Sequence, residues 1–512
     1  MKIRIRIRIR LIDIMLALLS GLLSAAAFPK FNLSFFIWIS LIPLLFIISN
    51  KTPKQSFLLG MTAGFSFYAV LLYWIPDVPA HFGNLSIGLS ILIYVVLILF
   101  LSLFWAFFSL SFSLIRKTFP LFAFILAPFL WVVFEYALAH ILTGFPWGLI
   151  GYAQYQNLLF IQLASLTGIY GLSFFLVLFQ SLFVLSIKTK KRNFFFIGLV
   201  LILFIHLGGF LSLKKITPSP ESFKASVIQG NVSSDIYWPD VSYEEIQQIF
   251  DEHLDLTNAA TFSDSQLIIW PEFSVPLCFS CPSEFYQNFK RTLLQYVQET
   301  GRTLLLGTNE MLPYQDTNQY FNTALCLSPD LSYTEYHKIH LVPFGEYIPY
   351  KKLFSFINKM THAIGEITPG KELRLHSFRT TPFGSPICYE IIFPNLVRKF
   401  TKNGAMFLTT LTNDGWYGQS SAPYQHFAIA VMRAVENRRF LLRAATTGIS
   451  GIIDPFGRIL VKSELETQTF LTSQITPLSS KTLYSSIGDV LAYISLTLSG
   501  LFLILAIIRK NK

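Results

Sequence analysis

Charge is what this chain has least of. Asp, Glu, Lys and Arg make up 13% of its 512 residues, about half of the roughly 25% that a soluble domain carries. That excludes a protein solvated on every side, and with it a disordered or coiled-coil chain. Cysteine is also scarce: Cys278, Cys281, Cys326 and Cys388 are the full set, too few for a disulfide scaffold. One C-x-x-C spacing without a second leaves no four-ligand zinc pattern. No internal repeat or low-complexity segment stands out. Apolar residues fill the space instead, 53% of the chain with 51 Phe, more than one soluble core uses. A membrane protein follows. The net charge of +11 is no nucleic-acid footprint, because many Lys and Arg residues sit in short clusters beside apolar runs.

Those runs lie at about 11–28, 32–49, 56–75, 86–115, 120–141, 158–187 and 194–213, and, after a long polar stretch, at 486–508. Crossing roughly 30 Å of hydrocarbon takes about 20 helical residues, so about eight transmembrane helices are expected. Runs 86–115 and 158–187 exceed a level crossing and imply tilt or extension beyond the bilayer. The first run follows a basic Ile/Arg stretch and ends at Ser24-Ala-Ala-Ala27, a pattern shared with signal peptides. Its retention is the expectation, because further spans follow at once. Basic clusters at Lys2 to Arg10, Lys51 and Lys54, Arg116 and Lys117, Lys188 to Arg192, and Arg509 to Lys512 mark the cytoplasmic face. The chain therefore divides into a membrane domain over 1–213 with seven helices, an extracytoplasmic domain over 214–485, and a last helix with a cytoplasmic tail over 486–512.

The outer stretch reads as α/β. Short β-branched runs recur at Ser226–Gln229, Gln266–Trp270, Thr303–Gly307, Thr381–Ile387, Ala405–Leu411 and Gly448–Ile453. Amphipathic helical patterns lie between them at about 243–260, 283–300 and 425–443, so helices should cover sheets.

Three residues in this stretch combine into a chemistry. Cys388 ends an apolar strand just before an expected helix near Glu390, whose N-terminal dipole would favour the thiolate. Glu272 ends the strand of Leu267-Ile-Ile-Trp-Pro-Glu272, and Lys338 lies in the aromatic and proline-rich segment Tyr336–Pro349. Taken singly they read as a buried inert thiol, a solvated carboxylate and a surface cation. Together they suit covalent acyl transfer: a base for the thiol proton, a nucleophile, and a cation for the thiolate and then the oxyanion.

With Ile228-Gln-Gly-Asn231, Trp270-Pro-Glu272, Ile387-Cys-Tyr-Glu390, Thr412-Asn-Asp-Gly-Trp-Tyr-Gly418 and Arg433-Ala-Val-Glu-Asn-Arg438, the outer stretch resembles the nitrilase superfamily. Spans on both sides, and Glu135 followed by Gly144-Phe-Pro-Trp147 and Gly151-Tyr152, narrow the resemblance to that superfamily's membrane-embedded branch, the apolipoprotein N-acyltransferase family. The resemblance implies an α-β-β-α sandwich with Cys388 as nucleophile, Glu272 as proton acceptor and Lys338 as oxyanion stabiliser. It adds Glu346 as a further acid, and Tyr389, Glu390, Trp238 and Trp416 as supporting residues. It implies a phospholipid acyl donor, phosphatidylethanolamine by expectation, diacylglyceryl apolipoproteins as acceptors, and no metal or cofactor. A monomer in the bacterial inner membrane, with its catalytic domain on the periplasmic side, completes the expectation.

Two positions depart from the family pattern. Thr446 stands where relatives often have Asn, and Leu138 stands where an Arg often follows the membrane Glu, leaving Glu135 without that partner. His140 or an interfacial position is the expected compensation. A membrane-tethered amidase is the alternative enzyme. A transporter would need more intramembrane polar groups than Asp13, Glu135 and His206. Cys278 and Cys281 are expected as reduced or locally oxidised thiols, and His337 and His340 as hydrogen-bonding side chains. The segment Tyr350–Met360 is expected to form a lid that dips Phe354, Phe356 and Ile357 into the outer leaflet.

Overall fold

Backbone in hydrocarbon must satisfy its N–H and C=O groups within its own segment, so the apolar runs become helices. In the computed structural model, which describes residues 9–213, 216, 219–233, 241–314, 317–349 and 367–510, five helices are long and apolar enough to cross a membrane. They are Ile87–Thr118, Phe122–His140, Ile169–Thr189, Asn193–Ser212 and Val490–Arg509. Trp238 and the expected lid, with Phe354, Phe356 and Ile357, lie outside the described residues.

The other expected spans differ for local reasons. Leu11–Ala26 is an apolar helix of 16 residues. Run 32–49 splits into a 3-10 turn, Ser34–Trp38, and a short helix, Ile42–Ile48, with a proline in its first turn. Gln180 bridges that break: its Oε1 accepts from Leu41 N at 2.6 Å and its Nε2 donates to Ile37 O at 3.1 Å. Pro53–Leu71 is helical, but small residues dilute its hydropathy and serve packing instead. A Cβ on Gly60 would come within 2.4 Å of Ser109 Oγ. Run 158–187 is interrupted at Gly168, φ +66°, so that Leu158–Ile161 and Ala164–Thr167 precede the long helix.

Glu135 is buried, yet its partner is not His140, whose Nδ1 lies 2.8 Å from Tyr136 O. Its Oε1 accepts instead from Trp131 Nε1 and from Ile150 N, both at 2.9 Å. The carboxylate thus ties the turns of Pro146–Gln154 to its own helix. Asp13 pairs with Lys51.

The chain separates into two compact units. One holds residues up to Pro76, Ile91–Ser212 and the chain from Asp489; the other holds Leu213–Gly488 and also Asp77–Ser90. The stretch Asp77–Ser90, between Pro53–Leu71 and the body of Ile87–Thr118, thus groups with the second unit. Its Phe82 ring stands edge-on to Trp416, with centroids 4.6 Å apart.

Among the described residues, twelve strands build that unit. The first sheet uses β1 (Phe223–Gln229), β2 (Leu267–Ile269), β3 (Thr303–Tyr314), β4 (Thr317–Leu327), β5 (Tyr333–His337) and β12 (Thr469–Ile475) in the order β12-β1-β2-β3-β4-β5. The second uses β6 (His376–Phe378), β7 (Thr381–Gly384), β8 (Phe407–Thr412), β9 (Leu441–Ala445), β10 (Gly451–Ile453) and β11 (Ile459–Lys462) in the order β11-β10-β9-β8-β7-β6. β1, β2 and β3 run parallel, as do β7, β8 and β9, while β12 pairs antiparallel to β1 with Phe223 opposite Ile475. Phe223 packs on Phe378 and Phe407 between the sheets, at 4.3 and 5.5 Å between centroids. Helices Tyr243–Phe262 and Glu284–Thr300 cover the first sheet through Phe250, Phe289 and Leu293. Pro394–Lys402 and Ala422–Asn437 cover the second. The layers are α-β-β-α. The expected helix 425–443 ends at Asn437 because Arg438 turns left-handed, φ +50°, and the chain continues as β9.

Candidate active site

The second residue type in the expected set comes from a strand exit. Glu272 follows the end of β2 and is 3% exposed. Its Oε1 accepts from Asn322 Nδ2 at 2.8 Å and from Lys338 Nζ at 3.1 Å, and its Oε2 accepts from Asn413 N at 2.9 Å. Gly307 makes room for this turn, since a Cβ there would meet Glu272 Cα at 2.6 Å.

Lys338 follows β5 directly and is 1% exposed. Its Nζ also donates to Glu346 Oε1 at 2.8 Å, while Glu346 Oε2 accepts from Val342 N at 2.8 Å. Asn322 Nδ2 reaches Glu346 Oε1 at 3.0 Å as well. Burial works against the ammonium, but Glu272 and Glu346 outweigh it and hold the Lys338 pKa well above the usual lysine range.

Cys388 is buried and left-handed, φ +49°. Ile387 pairs as a parallel bridge with Leu411, then the chain enters a five-residue 3-10 turn, Cys388–Ile392. The expected resting thiolate is not favoured. So short a turn carries little dipole, and burial, then the Glu272 charge, push the thiol pKa well up, with Lys338 pulling the other way. The resting group is therefore a thiol beside the Glu272 carboxylate. Glu272, Lys338 and Cys388 thus meet in one buried cluster, with Glu346 behind the ammonium.

Glu390 stands apart from that cluster in kind. It accepts from Tyr336 OH at 2.8 and 3.0 Å on its two oxygens, from Ile339 N and His340 N at 2.8 and 3.0 Å, and from Ile387 N at 2.8 Å. A carboxylate so engaged fixes the peptide that precedes the cysteine. Tyr389 packs on Phe393, 5.2 Å between centroids, and Trp416 lies in the turn Asp414–Tyr417 against Phe82. His337 Nδ1 lies 2.8 Å from Thr323 Oγ1, and the His340 ring lies 3.8 Å from that of Phe393. Cys278 and Cys281 are joined by a disulfide.

Sequence reasoning missed Asn322, which serves both acids from mid-strand β4, and His426, whose Nε2 lies 3.2 Å from Cys388 O. A buried Asn inside the apolar strand Phe321-Asn-Thr-Ala-Leu325 was the available signal for the first. Nothing marked the second within its helical pattern.

Comparison with known proteins follows the same division of the chain. Residues 20–182 match the family model of the apolipoprotein N-acyltransferase N-terminal domain, and residues 224–482 match that of carbon-nitrogen hydrolases. An apolipoprotein N-acyltransferase from Geobacter metallireducens is 35% identical over 98% of this chain and 96% of its own. One from Coxiella burnetii is 31% identical over 94% of this chain and 99% of its own. The solved structure of Saccharomyces cerevisiae Nit3, a nitrilase-superfamily member, matches at 18% identity and a TM-score of 0.38, covering 51% of this chain and 93% of its own. With identity of this order along nearly its whole length, the chain belongs to the apolipoprotein N-acyltransferase family, and the enzyme it forms is an acyltransferase.

Proposed function

We propose that this enzyme N-acylates the N-terminal diacylglyceryl-cysteine of apolipoproteins, the last step of lipoprotein maturation, by a ping-pong reaction through a thioester on Cys388. The observation that carries the reading is the buried meeting of Cys388, Glu272 and Lys338, with the Lys338 ammonium 3.1 Å from the Glu272 carboxylate that faces the thiol. The relatives' shared name supplies the acceptor class.

In the first half-reaction Glu272 takes the thiol proton as sulfur attacks the ester carbonyl of a phospholipid, with phosphatidylethanolamine as donor. Lys338 and neighbouring N–H groups face the tetrahedral oxyanion. The intermediate collapses to the thioester, and the lysophospholipid oxygen leaves with the proton held by Glu272. In the second half, the α-amine of the acceptor attacks the thioester and gives its proton to Glu272. Collapse forms the amide and expels the sulfur, which takes that proton back. Glu272 thus carries one proton out and back in each half, while Lys338 stays charged throughout because Glu272 and Glu346 hold it so.

The basic loops support eight crossings, with the catalytic domain on the periplasmic side of a bacterial inner membrane, where both lipid-anchored substrates reach it. Intact-mass spectrometry after incubation with phosphatidylethanolamine alone tests the reading. Wild type should gain one long-chain acyl group on Cys388, and Cys388→Ala should gain none. Rapid release of free fatty acid without acyl-enzyme would favour a membrane-tethered hydrolase instead.

A further inference from the structure

A left-handed backbone is strained for an L side chain, and it persists where the neighbouring peptides are fixed from outside. Cys388 is such a residue, φ +49°. Glu390 fixes the peptide before it: its Oε2 accepts from Ile387 N at 2.8 Å. The peptide after it is met by His426, from the helix Ala422–Asn437, whose Nε2 lies 3.2 Å from Cys388 O. A carbonyl only accepts, so the proton is assigned to Nε2.

His426 is itself oriented. Its Nδ1 lies between Asp414 Oδ1 at 2.9 Å and Arg443 Nη2 at 3.1 Å, and Arg443 Nη2 donates to Asp414 Oδ2 at 2.6 Å. All three side chains are fully buried. With the proton on Nε2, Nδ1 accepts from Arg443 Nη2, and Asp414 orients the ring by anchoring that guanidinium. Gly448 admits the carboxylate, since a Cβ there would meet Asp414 Oδ2 at 2.3 Å. The residue before Asp414 is Asn413, whose N–H donates to Glu272 Oε2 at 2.9 Å. One two-residue segment therefore places the base directly and the nucleophile through His426.

We propose that His426 is a positioning residue for the nucleophile: its Nε2–H holds the Cys388 carbonyl, and so the direction of the sulfur, while Arg443, anchored by Asp414, donates to Nδ1 and orients the ring. The inference rests on the reading of Cys388 as nucleophile given above. Two substitutions separate it from mere filling of the buried site. Gln places an amide nitrogen near Nε2 and still reaches the carbonyl; Asn reaches only the place of Nδ1, keeping Asp414 and Arg443 company but not Cys388.

The experiment measures kcat and donor KM, and the rate of acyl-enzyme formation by intact mass, for the full-length enzyme in detergent, with melting temperatures for every variant. His426→Gln should stay within about fivefold of wild type. His426→Asn should lose about 100-fold in kcat with KM unchanged, the scale on which an ångström of misplacement is felt. Asn equal to or better than Gln, or a loss that falls in KM, overturns the proposal. Should the Asn variant fail to fold, the Gln variant decides, and a value below one-tenth of wild type overturns it. If wild type itself forms no acyl-enzyme, the thioester reading falls rather than the role of His426.

Discussion

Both halves of the chain bury polar groups, but they give them different company. In the membrane half, apart from the Asp13–Lys51 pair, the long-reaching ones meet neutral partners: Gln180 closes the break before Ile42, and Glu135 takes the N–H groups of Trp131 and Ile150. In the catalytic half they form charged clusters, Glu272–Lys338–Glu346 and Asp414–His426–Arg443. A carboxylate held by neutral donors fixes a turn; one that shares a cation and a thiol is placed to pass a proton. Glu390 shows that partners matter more than location. It lies in the catalytic half beside Cys388, yet among the described residues its hydrogen bonds come from neutral N–H and O–H groups, as those of Glu135 do.

The sharpest way to break this contrast is Glu272→Gln. It keeps the shape and removes the proposed proton acceptor, so the rate of acyl-enzyme formation should fall about 10²–10⁴-fold, read by intact mass over time. A near-native rate would mean that the carboxylate only holds the turn.

Next comes Lys338→Met, which leaves two buried carboxylates without their cation. Unfolding free energy should drop by roughly 3–5 kcal/mol, read by denaturant titration. The sign with pH is definite: the folded pKa is raised above 10.5, so this stabilisation is complete below that pH and is lost as pH rises through the folded value. Lys338→Met should lack that alkaline decline.

A third test uses Glu310, a buried carboxylate of β3 whose pKa is raised to about 7 by burial, while Ser280 and Lys290 pull it down and Glu335 pushes it up. The folded chain holds this proton more tightly than the unfolded one. Its contribution is therefore present below the ordinary 4.5 and lost as pH climbs through about 7. Glu310→Gln should stabilise the protein at pH 8 relative to wild type by roughly 2 kcal/mol and do little at pH 4. Melting curves across that range check it.

The smallest effect belongs to Glu135→Gln. The amide oxygen still accepts from Trp131 and Ile150, so stability should change by less than about 1 kcal/mol, whereas Glu135→Ala strands both donors and should cost about 1–3 kcal/mol. A large loss of activity in the stable Gln variant would give this carboxylate a charge-dependent role and erase the contrast.

Much of the site was legible because its chemistry-bearing residues sit at or near strand exits, where an apolar run stops on Glu272, Lys338 or Cys388. The protonation of the sulfur was not. A helix start was visible in the sequence, but the shortness of the turn and the depth of burial, which decide the matter, were not. Asn322 and His426 were hidden for a related reason: each is one polar position in an otherwise regular element, and its partners are distant in sequence. In the membrane half, hydropathy gave the long runs but not their breaks. Gly168 and the proline of Ile42–Ile48 interrupt helices without interrupting apolar composition. The placement of Asp77–Ser90 with the catalytic unit was illegible altogether, because a short polar loop carries no mark of which unit it will join.

The pairing of β1 with β12 sets how the catalytic unit responds to mechanical load. Its incoming and outgoing chain lie side by side, Phe223 opposite Ile475, with the flanking segments leaving from the same end of an antiparallel pair. Tension between the two tethers would peel this ladder bond by bond from that end, as a zipper opens. It would not load all its hydrogen bonds together, as shear would. Strands β2 to β5 and the whole second sheet lie outside that first line of opening, so the Cys388 turn would be among the later parts to feel the pull.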